Sequence, residues 1–178
     1  MEQSRTIASV TKEEQIAAVL QSRVKRINLL TGNIMNLKEM ISGLHQASKE
    51  VYVHVEMVRG LGKDDFAVQY LANELKADGI ISTKSNIITA ARQAKLRTIQ
   101  RIFAIDSNAL DTAEKMIAAS GAREIELMPG LMPRIIREMK SKIRQPLIVG
   151  GLIKYAHEIE EALANGADFV SVGDPKLW

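Results

Sequence analysis

Two acids, two bases and a histidine stand where apolar runs give way to polar residues: Glu56, Glu126, Lys84, Arg101 and His54. Lys84 and Arg101 suit the neutralisation of a dianionic phosphate, the arginine through a two-pronged fork. Glu56 and Glu126 suit the acceptance of hydroxyl hydrogen bonds. As a set they fit a small polyol phosphate. The same acids and the lysine are also groups that proton transfer uses. His54 reads either as a base or as a structural histidine. No reaction is specified: the chain has no Ser-His-Asp order, no metal-ligand spacing and no phosphate loop of the Gly-Lys-Ser/Thr type.

A phosphate also needs main-chain donors. The stretch from Pro146 to Asp174 supplies them. A buried-strand run, Leu147–Val149, ends in Gly150-Gly151. The amphipathic segment Ala156–Ala164 follows. A second run, Phe169–Val172, ends in Gly173-Asp174. If both runs are neighbouring parallel strands, Gly150, Gly151 and Gly173 form a cradle, with the Ser171 hydroxyl as a further donor. In an eightfold βα barrel the loops after strands seven and eight are the usual phosphate site.

The elements that position these residues alternate along the whole chain. Strand runs lie at Thr6–Val10, Arg26–Leu30, Val51–Val58, Gly79–Ser82, Arg97–Phe103 and Glu124–Met128, before the two already named. Between them are segments with helical spacing. Thr11 reads as the cap of the first helix, Asp64-Asp65 as the cap of the third and Asp106-Ser107-Asn108 as the cap of the fifth. Pro133 suits the first position of the sixth. Strict alternation means a parallel sheet covered by helices. Eight units favour a closed (β/α)8 barrel of the TIM type over an open doubly wound sheet. The expected fold is α/β, one compact domain over residues 1–178, with the last helix short or missing after Trp178. In such a barrel His54, Glu56, Gln100 and Glu126 are expected to point inward.

Composition bounds the function. Apolar residues make up 46% of the 178, enough for a core, and aromatics are scarce. Without cysteine there is no disulfide, no thiolate metal site and no cysteine nucleophile. The longest apolar run, Leu147–Ile153, is far short of the ~20 residues that span a membrane, and no apolar signal segment follows Met1. A net charge of +3 is mild, but the bases are clustered. Arg92, Lys95 and Arg97 fall in a stretch without acids. Arg134, Arg137 and Lys140 share a helical face, with Arg144 beyond. These clusters read as solvated faces or as a surface for an anionic polymer.

The strand ends carry a resemblance. His54-Val55-Glu56 with Gly60, Gly79–Lys84, Gln100–Phe103, Glu126–Gly130 and Gly150–Ile153 occur in order over nearly the whole chain. Together they resemble the glycerol uptake operon antiterminator family. The resemblance implies a bacterial cytoplasmic regulator rather than an enzyme. Such a protein has a TIM-barrel fold and no cofactor. It responds to glycerol 3-phosphate and binds the leader mRNA of a glycerol-metabolism operon so that transcription runs on. It also implies aspartate where Glu56 stands, and relatives that continue past Trp178 into a further basic helix.

Two other functions use the same residues. One is a barrel enzyme for a small phosphorylated substrate: an isomerase, lyase or phosphodiesterase. The other is a non-catalytic metabolite-binding barrel that works through a protein partner. For a ligand-gated protein, the glycine-bearing loop Arg59–Lys63 is the expected moving part.

Overall fold

The computed structural model describes residues 5–106 and 108–178. Its strands are β1 (Thr6–Val10), β2 (Arg26–Leu29), β3 (Glu50–His54), β4 (Gly79–Ser82), β5 (Arg97–Phe103), β6 (Glu124–Met128), β7 (Leu147–Gly150) and β8 (Phe169–Val172). Each pairs in parallel with the next, and β8 closes on β1. The helices are α1 (Ile16–Gln21), α2 (Leu37–Gln46), α3 (Asp65–Asn73), α4 (Ser85–Gln93), α5 (Ala109–Ser120), α6 (Pro133–Lys142) and α7 (Ala156–Ala164). The expected TIM-type barrel is therefore present.

Strand alternation separates two cores. Ile7, Tyr52, Ile81, Ile99 and Ile148 meet inside the barrel. Their neighbours in sequence face the helices and form two larger clusters. One joins β1–β4 to α2 and α3 through residues such as Val53, Leu44 and Leu71. The other joins β6–β8 to α5 and α6 through Leu127, Ile117 and Met139. Each fully buried aliphatic side chain contributes about 1.5–3 kcal/mol of transfer free energy. Below the inner layer, Arg26 forms a two-pronged ion pair with Glu124 and lies 4.1 Å from the centre of the Tyr52 ring. This plugs the N-terminal end of the barrel. Among the described residues no helix is long and apolar enough to cross a membrane.

Four expectations need correction. The third strand stops at His54 and turns into a 3-10 segment, Val55–Met57, so Glu56 is not on a strand face. Gln100 does not point inward: Ile99 packs inside and Ile102 packs outside, which puts Gln100 on the helix side of β5. The first helix is preceded by a 3-10 turn, Glu13–Gln15, and Thr11 does not cap it. Instead Gln15 Oε1 accepts from the amides of Thr11 and Lys12. The second strand ends at Leu29, one residue early.

Asp64 does cap α3, accepting from the Ala67 amide at 2.9 Å. Pro133 does open α6. Ser107, part of the expected α5 cap, lies outside the described residues; Asp106 Oδ1 accepts from the Asn108 amide. In place of an eighth helix there is a 3-10 turn, Pro175–Leu177, held where Asp174 accepts from the Lys176 amide. Trp178 then donates its indole N–H to the Val172 carbonyl at 2.8 Å.

Candidate functional site

Inward-pointing residues at the C-terminal ends of the strands form a polar layer above the isoleucines. Glu126 is its centre. It is fully buried. Its Oε2 accepts from Arg101 Nε at 2.8 Å, across one register step from β5 to β6. Its Oε1 accepts from Ser171 Oγ at 2.7 Å and makes a long contact with Asn28 Nδ2 at 3.5 Å. Three strands thus send side chains to one carboxylate on a fourth.

Several polar atoms of this layer have no partner within the protein. Arg101 Nη2, Asn28 Oδ1 and Ser9 Oγ are buried and make no hydrogen bond. A buried polar atom left unpaired costs about 1–3 kcal/mol. Their concentration at one end of the barrel makes that end the candidate ligand site. Arg101 offers a donor, Asn28 an acceptor and Ser9 either.

Beside this layer sits a second pair. His54 Nδ1 lies 3.2 Å from Glu56 Oε2, within ion-pair range but off the direction that a hydrogen bond needs. The Ser82 hydroxyl donates to Glu56 Oε1, and the Thr83 amide makes a long contact with Oε2 at 3.4 Å. Burial pushes the Glu56 carboxyl up. His54 and the Ser82 hydroxyl more than offset this, so Glu56 stays below the usual carboxylate range. The turn that carries it is thereby tied to β4.

The glycines differ in kind. Gly150 is register partner of Ser171, and a Cβ there would stand 1.9 Å from Ser171 Oγ and 2.9 Å from the Ser171 carbonyl oxygen. No other residue fits without moving β7 from β8. Gly151 and Leu152 follow at φ +81° and +66°. Leu152 is left-handed and exposed, a conformation that a branched side chain adopts at a cost. Gly173 is open: the nearest atom to an added Cβ is 3.8 Å away.

Ser171 does not serve the cradle as the sequence suggested. Its hydroxyl proton is directed to Glu126, which leaves none for a phosphate. Glu126, in turn, is occupied in holding Arg101 and Ser171 rather than waiting for ligand hydroxyls. Lys84 is exposed on the loop after β4. In a closed ring of eight strands β4 lies across from β8. Lys84 thus follows a strand that pairs with β5, which carries Arg101, and it lies across the ring from Gly173 at the end of β8. Ser9 and Asn28 complete the layer. The single serine in the apolar run Thr6–Val10, on the same parity as Ile7, was its signal.

The expected moving loop is tethered. Arg59 exchanges backbone hydrogen bonds with the β2–α2 loop, donating to Gly32 O and accepting from the Ile34 amide. The basic stripe of α6 is mostly engaged. Arg134 pairs with Glu138, Arg137 donates to Asn165 Oδ1, and Lys140 pairs with Asp168 at 2.6 Å. On the other cluster, Arg92 donates to the Ser120 carbonyl, and Arg97 pairs with Glu50 and reaches the Tyr52 hydroxyl. Lys95 and Arg144 remain exposed.

Known proteins share this arrangement of chain. An Escherichia coli K12 protein, uncharacterized protein YgcP, is 32% identical over all 178 residues, covering 93% of its own length. A glycerol uptake operon antiterminator regulatory protein from Listeria monocytogenes has a solved structure that superposes with a TM-score of 0.94. It is 32% identical, and the match covers 100% of this chain and 96% of that one. A glycerol uptake operon antiterminator-related protein from Thermotoga maritima gives a TM-score of 0.87 at 27% identity, covering 98% of both chains. An aldolase and an orotidine 5'-monophosphate decarboxylase, at 13% and 17% identity, share the fold alone. The family model described as glycerol-3-phosphate responsive antiterminator matches residues 6–178. With that match over almost the full length, this chain belongs to the glycerol-3-phosphate responsive antiterminator family.

Proposed function

We propose that the protein is a cytoplasmic antiterminator that binds glycerol 3-phosphate in the mouth of its barrel and, in that state, holds the leader mRNA of a glycerol-metabolism operon. It catalyses no reaction and needs no cofactor. The observation that carries this reading is the buried layer around Glu126, with unpaired polar atoms on Arg101, Asn28 and Ser9. It offers a guanidinium fork and hydroxyl partners without a reacting group among them.

In this reading the main-chain N–H groups around Gly150, Gly151 and Gly173 hold the phosphate, and Arg101 Nη2 balances its charge. Asn28 and the His54–Glu56 pair meet the glycerol end, with Lys84 closing the far rim. Binding changes RNA affinity by its differential affinity for two protein states. Because the β3–α3 loop is bonded to the β2–α2 loop, the two loops respond together.

A gel shift of the leader transcript with and without glycerol 3-phosphate tests the gate. Tighter RNA binding with the effector is expected. Equal binding at matched salt removes the gate from the proposal.

One observation favours a second reading, a barrel enzyme for a small phosphorylated substrate. Glu56 and His54 stand 3.2 Å apart at the mouth, and both are groups that proton transfer uses. Turnover of a glycerol phosphate or its diester, lost in Glu56→Gln, would establish it.

A further inference from the structure

The effector mouth is at the C-terminal end of the barrel. The opposite rim, made by the connections from each helix to the next strand, has a different character. Arg23 and Lys25 precede β2, Lys76 precedes β4, Lys95 precedes β5, Arg123 precedes β6 and Arg144 precedes β7. All are exposed, and among the described residues none has a hydrogen bond or ion pair through its side chain. Lys76, Lys95, Arg123 and Arg144 come from four successive connections, so they form one arc. The closure of the barrel places them there, since they are far apart in sequence.

The acids of this rim are largely spent. Asp78 Oδ2 accepts from His45 Nε2 and from the Val51 amide. Asp168 Oδ2 accepts from Lys140 Nζ and from the Leu147 amide. Glu124 is engaged by Arg26, and Glu50 by Arg97. Only Glu74 among the acids of these connections is free of such a bond. Burial, and after it the Lys25 charge, pulls the Lys49 ammonium below its ordinary value.

In the arc lies an open cleft of about 720 Å³ between α4 and α5. Arg92, Lys95 and Arg123 line it, with Thr89 and Gln93, and no carboxylate does. Arg92 is fixed across it by its bond to the Ser120 carbonyl, directly over Gly121. Lys95 stands just past the end of α4 at φ +62°, a left-handed position that favours glycine. A lysine there presents its charge at a backbone site where the side chain is costly.

We infer that this N-terminal rim, centred on the cleft between α4 and α5, docks the phosphate backbone of a double-helical RNA stem. The inference rests on the RNA-binding reading above and adds where the RNA sits. Unpaired cations in an arc match a phosphate ladder, and each contact releases counterions. The exposed aromatics Phe66, Phe103 and Tyr155 all lie on the other side of the barrel. The rim therefore lacks platforms for unstacked bases and fits a paired stem read by shape. RNA and effector occupy opposite ends of the barrel and do not compete.

The test uses the full chain and a synthetic RNA hairpin with a stem of about 16 base pairs. Its affinity is measured against salt concentration, with glycerol 3-phosphate present. The triple variant Lys76→Gln, Lys95→Gln, Arg123→Gln is compared with wild type and with Arg134→Gln, Arg137→Gln on α6. The salt slope is expected to flatten by about one per contacting cation removed in the triple variant and to stay unchanged in the α6 double variant. If wild type binds and the triple variant keeps its slope, the docking face is wrong while the RNA reading stands. Loss confined to the α6 variant has the same meaning. If wild type does not bind the hairpin or the leader transcript, both fall.

Discussion

Arg101 and Glu126 are register partners on adjacent strands, and they share a 2.8 Å hydrogen bond with side chains only 6% and 0% exposed. The pair is completed by Ser171 and Asn28, and it leaves one buried guanidinium nitrogen unpaired. Burying two charges is expensive, and their attraction offsets it only with good geometry and further bonds. A protein that needed only stability would place apolar residues here. The proposed function gives the arginine a reason to stand here: what it can bind.

Removing one partner should therefore be severe. Glu126→Ala leaves Arg101 buried without compensation and is expected to cost roughly 3–5 kcal/mol of stability. Chemical denaturation measures it. A loss below about 1 kcal/mol would mean that the layer hydrates freely and the pair has no structural role. Arg101→Lys keeps the charge and loses the fork. It is expected to fold and to lose most of the stabilisation by glycerol 3-phosphate.

Gly150 and Gly173 should separate structure from binding. Gly150→Ala forces a Cβ against the Ser171 backbone and should destabilise by about 1–3 kcal/mol or more. Ser171→Gly in the same chain does not rescue it, because the carbonyl oxygen 2.9 Å away remains. Gly173→Ala meets nothing closer than 3.8 Å, so stability should change by less than about 0.5 kcal/mol. Its expected effect is on effector affinity alone, read by calorimetry. An unchanged affinity would take Gly173 out of the cradle.

Glu56 sets a pH dependence with a definite sign. Its folded carboxyl lies below the ordinary value of 4.5. The stability that it contributes is fully present above that value and is lost as pH falls through the folded value. The difference in unfolding midpoint between wild type and Glu56→Gln should hold from neutral pH to about 5 and shrink below it. A difference that grows as pH falls contradicts the assigned state of Glu56.

Much of this was legible in the chain because each strand is a short apolar run with a sharp polar or glycine end. Gly150-Gly151 and Pro129-Gly130 are such ends, and eight of them in alternation leave few folds. The failures have local causes. Gln100 and Arg101 are adjacent polar residues between Ile99 and Ile102, so alternation alone does not say which points inward. Val51–Val58 reads as one strand, yet the chain turns after His54, where Ser82 and Thr83 from another strand hold Glu56. Ser171 reads as available in the sequence, yet its hydroxyl donates to Glu126, 45 positions away. The basic arc was invisible for the same reason: its members meet only when the barrel closes.

Ligand stabilisation tests the central claim most directly. Thermal unfolding is followed with glycerol 3-phosphate, with inorganic phosphate and with glycerol, each at equal concentration. A ligand that binds only the folded state adds about 2.7 kcal/mol at a hundred times its Kd. A mouth built to read both ends of the phosphoester should give a clear rise in midpoint with glycerol 3-phosphate and little with either half alone. No rise, or an equal rise with inorganic phosphate, would contradict the assignment of the Arg101–Glu126 layer as the effector site.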